Sequence, residues 1–534
     1  MAQRSFHFAS LVAAAALLLA IPSPAAAEPI SFSPAPLDAS DLSVQNPWSG
    51  LYEWSGSETF DLPEAAPDAY RRFVWKDFET AKDQYDFSKL EARLVEAKDK
   101  GQKFSFRLRA MTSTGLQVPS YIEPYGSYSN GLWYPGWNDA YFLERYRALF
   151  AAIGAKYDKD ERLGFIEIGP YGKWGEGHSG GPNPATDATK KELVDMVVEA
   201  FPSQRFISMT DDGTMLFHAL NKSLAVGMRR DSLGWEHFYE TLENKYGGDP
   251  AKWQTITERW KTAPVVAEFA NYDDSDPTKA RDGFFERALV GIGKLHVTMA
   301  GNGNMGLTEA ELTAAEKDLL AEVHWGSGLR PRLVKVDLAT QTGPATMQST
   351  WENLGTAPAY EHYDVVWALR DPATKEAMWS TLSSLDPEKL LPTEGAPVVV
   401  EDTFTMPTQL AGMTLELTVQ IVDPTAYRAP LYLVTQGREA DGRYPLGALT
   451  LVEGPSGAGG AGSGAASGTG GAGGAGGAGG AGGSGGALGS DEAGSCACRA
   501  GSAGTGSAGA AILAMAAGLA LRVRRRRSRQ RVDR

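Results

Sequence analysis

The chain has only two cysteines in 534 residues, Cys496 and Cys498, and both lie close to its C-terminus. The rest of the chain therefore has no disulfide and no thiol chemistry, and its stability must come from a hydrophobic core. No histidine and no second cysteine pair lies near these two residues, which argues against a zinc site. The sequence also lacks a metal-ligand cluster and a phosphate-binding P-loop. We therefore expect neither a metal nor another cofactor.

Long hydrophobic runs are also absent, and this decides how the N-terminus is interpreted. Arg4 is followed by the apolar run 11–21, which is too short to span a bilayer of roughly 30 Å, and then by Ala25-Ala26-Ala27. This order is typical of a secretory signal peptide, so residues 1–27 are predicted to be one. A buried N-terminal helix is the alternative interpretation.

Side chains able to build a core are nearly missing from residues 454–494, which are mainly Gly, Ala and Ser and are predicted to form a flexible linker. Residues 495–534 then combine the two cysteines with a weakly apolar stretch at about 507–521 and a cluster of arginines. A linker, a short transmembrane helix and a basic end are typical of a membrane anchor.

The C-terminal segment with Cys496, Cys498 and the terminal arginines resembles the sorting tag of myxobacterial surface proteins. The resemblance implies cleavage by a sorting protease at the Cys496/Cys498 region. It also implies an exported protein that is anchored in the membrane or tethered to the cell surface. An ordinary tail anchor that keeps its helix is the alternative.

Positive charge is scarce outside this tail. The formal net charge is −14, and because residues 522–534 hold eight Arg and one Asp, the preceding residues carry −21. An acidic surface repels phosphates, so we expect no nucleic-acid partner.

Short apolar runs alternate with amphipathic segments from Tyr52 to Trp325, which is the pattern of repeated βα units. Residues 47–327 are therefore predicted to form a TIM (β/α)8 barrel, an α/β fold. Residues 328–453 show alternating strands separated by Gly, Pro and Asp turns, which predicts a β-sandwich domain. The barrel strands are expected near residues 50–54, 70–75, 104–110, 164–169, 205–210, 224–228, 265–269 and 295–298.

Two glutamates follow barrel strands closely enough to lie at the barrel mouth, where active sites of this fold are built. Glu176 lies in a Gly-rich loop beyond the fourth strand, and Glu268 ends the seventh. Glycosidic hydrolysis needs one carboxylic acid to protonate the leaving oxygen and one carboxylate to attack the anomeric carbon or activate water. Both residues are therefore predicted to be catalytic. The alternatives are an exposed loop acid for Glu176 and an arginine ion pair for Glu268.

Other polar and aromatic residues near the strand ends are predicted to contact a sugar, because flat aromatic faces stack on sugar rings and charged groups bind hydroxyls. Helix N-caps explain the acids equally well, and surface or core positions also fit the histidine. Glu167 lies within a strand and is expected to pair with Arg107 or Arg109 inside the barrel. The predicted substrate-binding residues are Trp75, Arg109, Trp174, His178, Asp211, Asp212, Arg230 and Asp231.

Six motifs follow one another in a fairly specific order across residues 47–453. They are Phe73-Val-Trp-Lys-Asp-Phe-Glu79 with Tyr85-Asp-Phe87, Phe106-Arg-Leu-Arg109, Tyr171-Gly-Lys-Trp-Gly-Glu-Gly-His178, Val226-Gly-Met-Arg-Arg-Asp231, Pro264-Val-Val-Ala-Glu268 and Trp351-Glu-Asn-Leu-Gly-Thr-Ala-Pro-Ala-Tyr360. Together they resemble an uncharacterised family of bacterial and fungal exported proteins with a glycosidase-like (β-galactosidase-like) TIM barrel and a C-terminal β-sandwich.

The resemblance implies that Glu176 is the acid/base and Glu268 the nucleophile of a retaining mechanism. Gly175 stands where retaining barrels usually carry Asn directly before the acid/base. This departure leaves an inverting mechanism open, in which the carboxyl groups stand farther apart.

The residues thus support two main hypotheses. The first is a cell-surface glycoside hydrolase that acts on a poly- or oligosaccharide through two carboxylates. The second is a non-catalytic surface carbohydrate-binding protein, a lectin or adhesin, on a barrel scaffold. Lyase or esterase chemistry on the same barrel has less support. Two glutamates facing each other across one cleft lined with aromatics would favour the first hypothesis.

Overall fold

A computed structural model describes residues 29–38, 44–54, 67–392 and 396–454. The predicted signal peptide, the linker beyond residue 454, Cys496, Cys498 and the apolar stretch 507–521 lie outside the described residues. Among the helices in the described part of the chain, none is long and apolar enough to cross a membrane.

The first domain is a barrel of parallel strands, and two β-hairpins interrupt the series. After an N-terminal strand β1 (Ile30–Phe32), the barrel strands are β2 (Gly50–Leu51), β3 (Glu53–Trp54), β4 (Ala69–Val74), β7 (Phe104–Arg109), β10 (Leu163–Ile168), β11 (Phe206–Met209), β12 (Val226–Leu233), β13 (Val265–Phe269) and β14 (Met299–Gly301). The hairpins are β5 (Glu79–Ala81) with β6 (Gln84–Tyr85), and β8 (Gly126–Ser129) with β9 (Leu132–Pro135).

The barrel closes through one broken strand. β2 and β3 are the two edges of the nine-stranded sheet and flank Tyr52, so they are the halves of a single barrel strand. β2 pairs with β14 and β3 pairs with β4, both in parallel. The sheet is therefore an eight-membered closed barrel, which confirms the predicted α/β fold.

Eight α-helices lie between or after these strands. They are α1 (Ser88–Asp99), α2 (Ala140–Tyr157), α3 (Asp187–Ala200), α4 (Gly213–Leu220), α5 (Glu240–Tyr246), α6 (Pro250–Glu258), α7 (Phe284–Leu295) and α8 (Ala314–Gly326). α2 shows why they form: Asp139 accepts hydrogen bonds from the Tyr141 and Phe142 amides as its N-cap, and Tyr146 and Ile153 lie on its buried face.

The last barrel strand lies later in the chain than the sequence pattern indicated. The apolar residues near 295–298 begin with Leu295, which is the buried last residue of α7, and His296 follows in a left-handed conformation. The strand itself starts at Met299. A short apolar run does not distinguish the end of a buried helix from a buried strand, and here the helix extends into it.

The second domain is a sandwich of two four-stranded antiparallel sheets, in the orders β1-β15-β16-β19 and β18-β17-β20-β21. The ring centroids of Trp351 and Trp367 lie 6.2 Å apart in its core. β1 comes from before the barrel in sequence and pairs with β15, so both ends of the described chain contribute to the sandwich. The remaining strands are β15 (Pro331–Leu338), β16 (Gly343–Asn353), β17 (Asp364–Arg370), β18 (Ala377–Leu382), β19 (Val398–Met406), β20 (Thr414–Val422) and β21 (Tyr444–Thr450).

The sandwich binds the N-terminal end of the barrel strands through a buried ion pair. Arg428 Nη2 lies 2.6 Å from Asp68 Oδ1, directly before β4, and Arg428 also donates to the Pro67 carbonyl. Asp68 accepts further hydrogen bonds from the amides of Trp48 and Lys103. Active sites of this fold lie at the opposite end of the barrel.

We expect Arg428→Met to lower the free energy of unfolding by about 3–5 kcal/mol, because it leaves the Asp68 carboxylate buried without its cation. The matched control is Lys98→Met, which breaks the exposed pair with Glu161 and should cost less than about 1 kcal/mol. Urea unfolding of both variants measures the difference. Equal stability losses would mean that the buried pair does not hold the two domains together.

Candidate active site

The interior of the barrel has an apolar layer below and a charged layer above. Tyr70, Phe165, Ile207, Val266 and Met299 form part of one buried cluster. Two residues farther along the respective strands, toward the mouth, the charged side chains Arg72, Glu167 and Glu268 follow. This spacing is the period of a strand, so each charged side chain points into the barrel above its apolar neighbour.

Glu176 is brought to the mouth by the loop that follows β10. Gly172, Gly175 and Gly177 all have positive φ angles, and Trp174 also adopts φ +59°. A Cβ atom at Gly175 would overlap the carbonyl oxygen of Gly169 and would lie 3.0 Å from Arg107 Cδ. The loop therefore excludes a side chain at this position, which explains why Gly stands directly before Glu176.

A single guanidinium group joins the two candidate catalytic carboxylates. Arg72 Nη1 lies 3.5 Å from Glu176 Oε1, and Arg72 Nη2 lies 2.7 Å from Glu268 Oε2. Given the size of a guanidinium group, these contacts place the two carboxylate oxygens within roughly 8.5 Å of each other. Glu176 and Glu268 thus share one site, at a separation that admits both retaining and inverting geometries.

Glu167 lies at the bottom of this site and has a structural role. It accepts hydrogen bonds from Arg107 Nη2 and from the Tyr70 hydroxyl, and Arg229 Nε lies 3.6 Å away. Burial alone would raise the pKa of Glu167, but the charges of Arg107 and Arg229 hold it below its usual value. The pairing with Arg107 that the sequence indicated is present in the structure.

Glu268 is buried at the end of β13 and has cationic and amide partners. Arg229 Nη2 donates to Glu268 Oε2, and the Asn304 amide donates to Oε1 at 3.3 Å. Gly303 approaches so closely that a Cβ there would overlap the Glu268 side chain. The contacts hold the carboxylate in one orientation.

His178 pairs with Glu176 on the side that faces the pocket. His178 Nε2 lies 3.2 Å from Glu176 Oε2, and Nδ1 lies 2.8 Å from the Ser179 hydroxyl. The hydrogen bond to Glu176 raises the pKa of His178. Burial would raise the pKa of Glu176, but the hydrogen bond from His178 and the charges of Arg72 and Arg107 hold it well below its usual range. A proton bound by this pair therefore resides on the imidazole and not on the Glu176 carboxyl.

A narrow pocket with a cavity volume of about 20 Å³, the space of roughly one water molecule, lies beside these residues. Its aromatic wall is Trp235, whose indole Nε1 donates to the Asn271 carbonyl at 2.9 Å. Within the described part of the chain no group of three or more His, Cys, Asp or Glu side chains could hold a metal ion. The pocket is lined by Glu176, His178, Met209, Asp211, Arg230, Asp231, Ser232, Trp235, Ala270, Asn271 and Asn304.

Four of the predicted substrate-binding residues, His178, Asp211, Arg230 and Asp231, line this pocket. Burial raises the pKa of Asp211. Arg230 Nε donates to the Phe238 carbonyl at 3.3 Å, and Asp231 accepts from Arg229 at 2.7 Å.

The other four lie elsewhere. Trp75 is fully buried, stacks on Tyr146 at 4.7 Å and donates to Glu79, so it is a packing residue and not a sugar platform. Asp212 is the N-cap of α4 and pairs with a lysine, as the alternative interpretation of the acids held. Trp174 lies edge-on to His178, and Arg109 lies against the Glu176 loop at Gly175; neither residue is part of the pocket lining.

Sequence reasoning missed the two arginines that organise the site, Arg72 and Arg229. Both lie at inward positions of a strand, two residues after Tyr70 and Gly227, so strand alternation was the available signal. Alternation shows that a side chain points inward but not which carboxylate it meets. Asn304, Asn271 and Trp235 come from loops without a periodic pattern, and no signal in the sequence would have found them.

No protein-family model and no curated protein matches the sequence. Among solved structures, the chain is similar to endo-glycoceramidase II from Rhodococcus sp., with 12% identity, coverage of 70% of this chain and 100% of that chain, and a TM-score of 0.36. It is also similar to GH5_18 from Bifidobacterium longum subsp. longum, with 10% identity, coverage of 48% and 70%, and a TM-score of 0.33.

Gly175→Ala should destabilise the protein more than the matched change Gly131→Ala. Both glycines have φ near +75°, which costs an alanine about 1–2 kcal/mol, but only Gly175 lacks space for the added Cβ. The displaced loop should also separate Glu176 from His178, so the pKa of His178 should fall toward its ordinary value. Urea unfolding and NMR titration of His178 test both effects. Identical behaviour of the two variants would contradict the tight packing of the loop.

Proposed function

We propose that this protein is a glycoside hydrolase whose reaction depends on Glu176 and Glu268. The observation that supports this most strongly is the contact of both carboxylates with the guanidinium of Arg72. The two glutamates are 92 positions apart in the sequence, and the closure of the barrel brings them to one mouth. A two-carboxylate site beside a pocket with an aromatic wall suits hydrolysis of a glycosidic bond.

Glu268 is the carboxylate that attacks the anomeric carbon or activates water. Arg72 and Arg229 stabilise its anionic form, and Asn304 holds one oxygen in place. Such preorganised partners reduce the reorientation needed when the reaction begins. The polar residues of the pocket bind sugar hydroxyls, and Trp235 offers a face on which a ring can stack.

Glu176 delivers the proton to the leaving oxygen with the help of His178. In the free site the proton resides on the imidazole, 3.2 Å from Glu176 Oε2. His178 Nε2 gives its proton to Glu176, and Glu176 protonates the leaving oxygen as the glycosidic bond breaks. The water whose oxygen then bonds to the anomeric carbon loses a proton, which restores the protonated site. Because the pKa of Glu176 is low, its carboxyl group is ionised at neutral pH, and His178 therefore supplies the proton.

A non-catalytic saccharide-binding protein is the second candidate function. It is favoured by one observation: Glu176 is an ion-paired carboxylate with a low pKa, whereas a general acid must hold a proton at the working pH. For either function we propose a place at the cell surface, since the predicted signal peptide and Arg-rich tail suit export and anchoring. A sorting protease acting near Cys496 and Cys498 belongs to the same proposal.

Glu176→Gln and Glu268→Gln should each lower hydrolysis by about 10³-fold or more, because each removes a group that takes part in bond cleavage. The measurement is the release of reducing sugar from a panel of polysaccharides. Glu144→Gln, on the exposed face of α2, is the control and should retain wild-type turnover. Circular dichroism establishes that all three variants are folded.

Two outcomes would reject the hydrolase. Turnover that survives both substitutions would show that the reaction does not depend on these carboxylates. Saccharide binding without any turnover in the wild type would establish the second candidate function instead.

The histidine can be tested separately through the pH dependence of kcat/KM. In the wild type, the proton is held by His178, whose pKa is raised, so activity should persist to neutral pH and fall above that pKa. In His178→Asn the proton must be held by Glu176 beside Arg72 and Arg107, so the basic limb should move to lower pH and activity at pH 7 should drop by about 10²-fold. A parallel loss at all pH values would indicate a purely structural role for His178.

A further inference from the structure

Arg109 is the last residue of β7 and lies directly beside the Glu176 loop. It shares the inward face of the strand with Arg107, two residues earlier. The position of a Cβ at Gly175 is 3.2 Å from Arg109 Cβ, so the side chain starts against the backbone that carries Glu176. Arg109 is half-buried, so part of its side chain is accessible to a ligand.

The three neighbouring arginines all have carboxylate partners. Arg72 contacts Glu176 and Glu268, Arg107 contacts Glu167 and Glu176, and Arg229 contacts Glu268 and Asp231. These contacts also occupy the carboxylates, since Glu176 is shared among two arginines and His178.

Arg109 differs from them. Among the residues that the structure describes, none provides a carboxylate within 4.0 Å of its guanidinium or an acceptor for its N–H groups, and its Nε is buried without a partner. Burial, together with the charges of Arg72 and Arg107, lowers the pKa of Arg109 to about 10. A half-buried cation without a partner is costly, and its five N–H donors have the geometry that binds an oxyanion through two parallel hydrogen bonds.

We propose that the site accepts an acidic saccharide, whose carboxylate or sulfate group is bound by Arg109 beside Glu176. This inference rests on the proposed function, because it names the substrate class of the same site. The anion supplies the acceptors that the guanidinium lacks, and it fixes the position of the sugar unit next to the bond that is cleaved. Residues 1–521 carry a formal net charge of −21, so an anionic substituent is attracted to a local cation such as Arg109 and not to the protein as a whole.

The test compares three probes with the full protein. They are a hexuronic acid oligosaccharide, the same oligosaccharide after reduction of its carboxyl groups, and an oligosaccharide whose only charged groups are O-sulfates. Binding by titration calorimetry and hydrolysis by reducing-sugar release are recorded separately. The wild type should bind one of the two acidic probes at least about tenfold more tightly than the reduced probe, and the better acidic probe identifies the anion.

Arg109→Gln should lose about tenfold or more of this affinity while its binding of the reduced probe changes less than about twofold. Arg109→Lys, which keeps the charge but not the paired donors, should retain an intermediate affinity. Arg147→Gln, on the outer face of α2 and paired with Glu192 and Glu199, should bind like the wild type. Since Arg109→Gln orphans no carboxylate, its thermal midpoint should not fall, whereas Arg107→Gln should unfold at lower temperature because Glu167 loses its cation.

Equal binding of acidic and reduced probes by the wild type would overturn the inference, as would an equal loss of both in Arg109→Gln. The hydrolase proposal fails differently. Acid-selective binding that depends on Arg109 but leads to no hydrolysis would reject the hydrolase and retain the anion site. Hydrolysis without preference for acidic probes would retain the hydrolase and reject the anion site, and absence of any saccharide binding would reject both.

Discussion

The pairing of buried arginines with buried carboxylates inside the barrel is the constraint on which the site depends. Arg72 comes from β4, Arg107 from β7 and Arg229 from β12, while Glu167 and Glu268 come from β10 and β13. Each ion would cost several kcal/mol to bury alone, and no two adjacent residues supply both partners of these contacts. Arg107 meets Glu167, and Arg229 meets Glu268, on neighbouring strands, whereas Arg72 on β4 reaches Glu268 on β13 across the barrel. This last contact requires the closed sheet, so barrel closure completes the site.

Two features on the side of this network away from the mouth support it: a buried apolar layer and an ion pair with the sandwich. The aromatic and aliphatic cluster that includes Tyr70 and Phe165 fills the barrel directly under the charges and excludes water from that side. Farther down, Arg428 of the sandwich reaches Asp68 at the start of β4, the strand that carries Arg72. The sandwich thus braces the strand whose guanidinium contacts both candidate catalytic groups. It does so from the N-terminal end of the barrel strands, and none of the residues that line the pocket belongs to the sandwich.

The sequence predicted the fold better than the site, for a physical reason. Strand and helix periods depend on local burial, so seven of the eight barrel strands lie near their expected positions; the eighth was displaced because the apolar residues at 295–298 include the end of α7. Glu176 and Glu268 were predicted because each lies at or just beyond the end of a barrel strand, and the structure places both against Arg72; their catalytic role stays a prediction. The contacts of Arg72 and Arg229 were not predicted, since a contact between strands has no local signature in the sequence. Trp75 was misassigned because an aromatic residue near a strand end packs under a helix as readily as it faces a sugar.

Gly175, directly before Glu176, and Arg107, against which this loop packs, belong to one arrangement. Retaining barrels usually carry an asparagine directly before the acid/base, whereas at Gly175 the backbone turns against Gly169 and Arg107 and leaves no space for a side chain. The close approach allows Arg107 Nη1 to donate to the Trp174 carbonyl and to contact Glu176 at 3.4 Å. An uncharged amide would leave the proton affinity of Glu176 largely unchanged, whereas a guanidinium lowers it. Under the proposed hydrolase, a loop packed against Arg107 therefore requires another proton carrier, and His178 lies two residues beyond Glu176, with Nε2 3.2 Å from Glu176 Oε2.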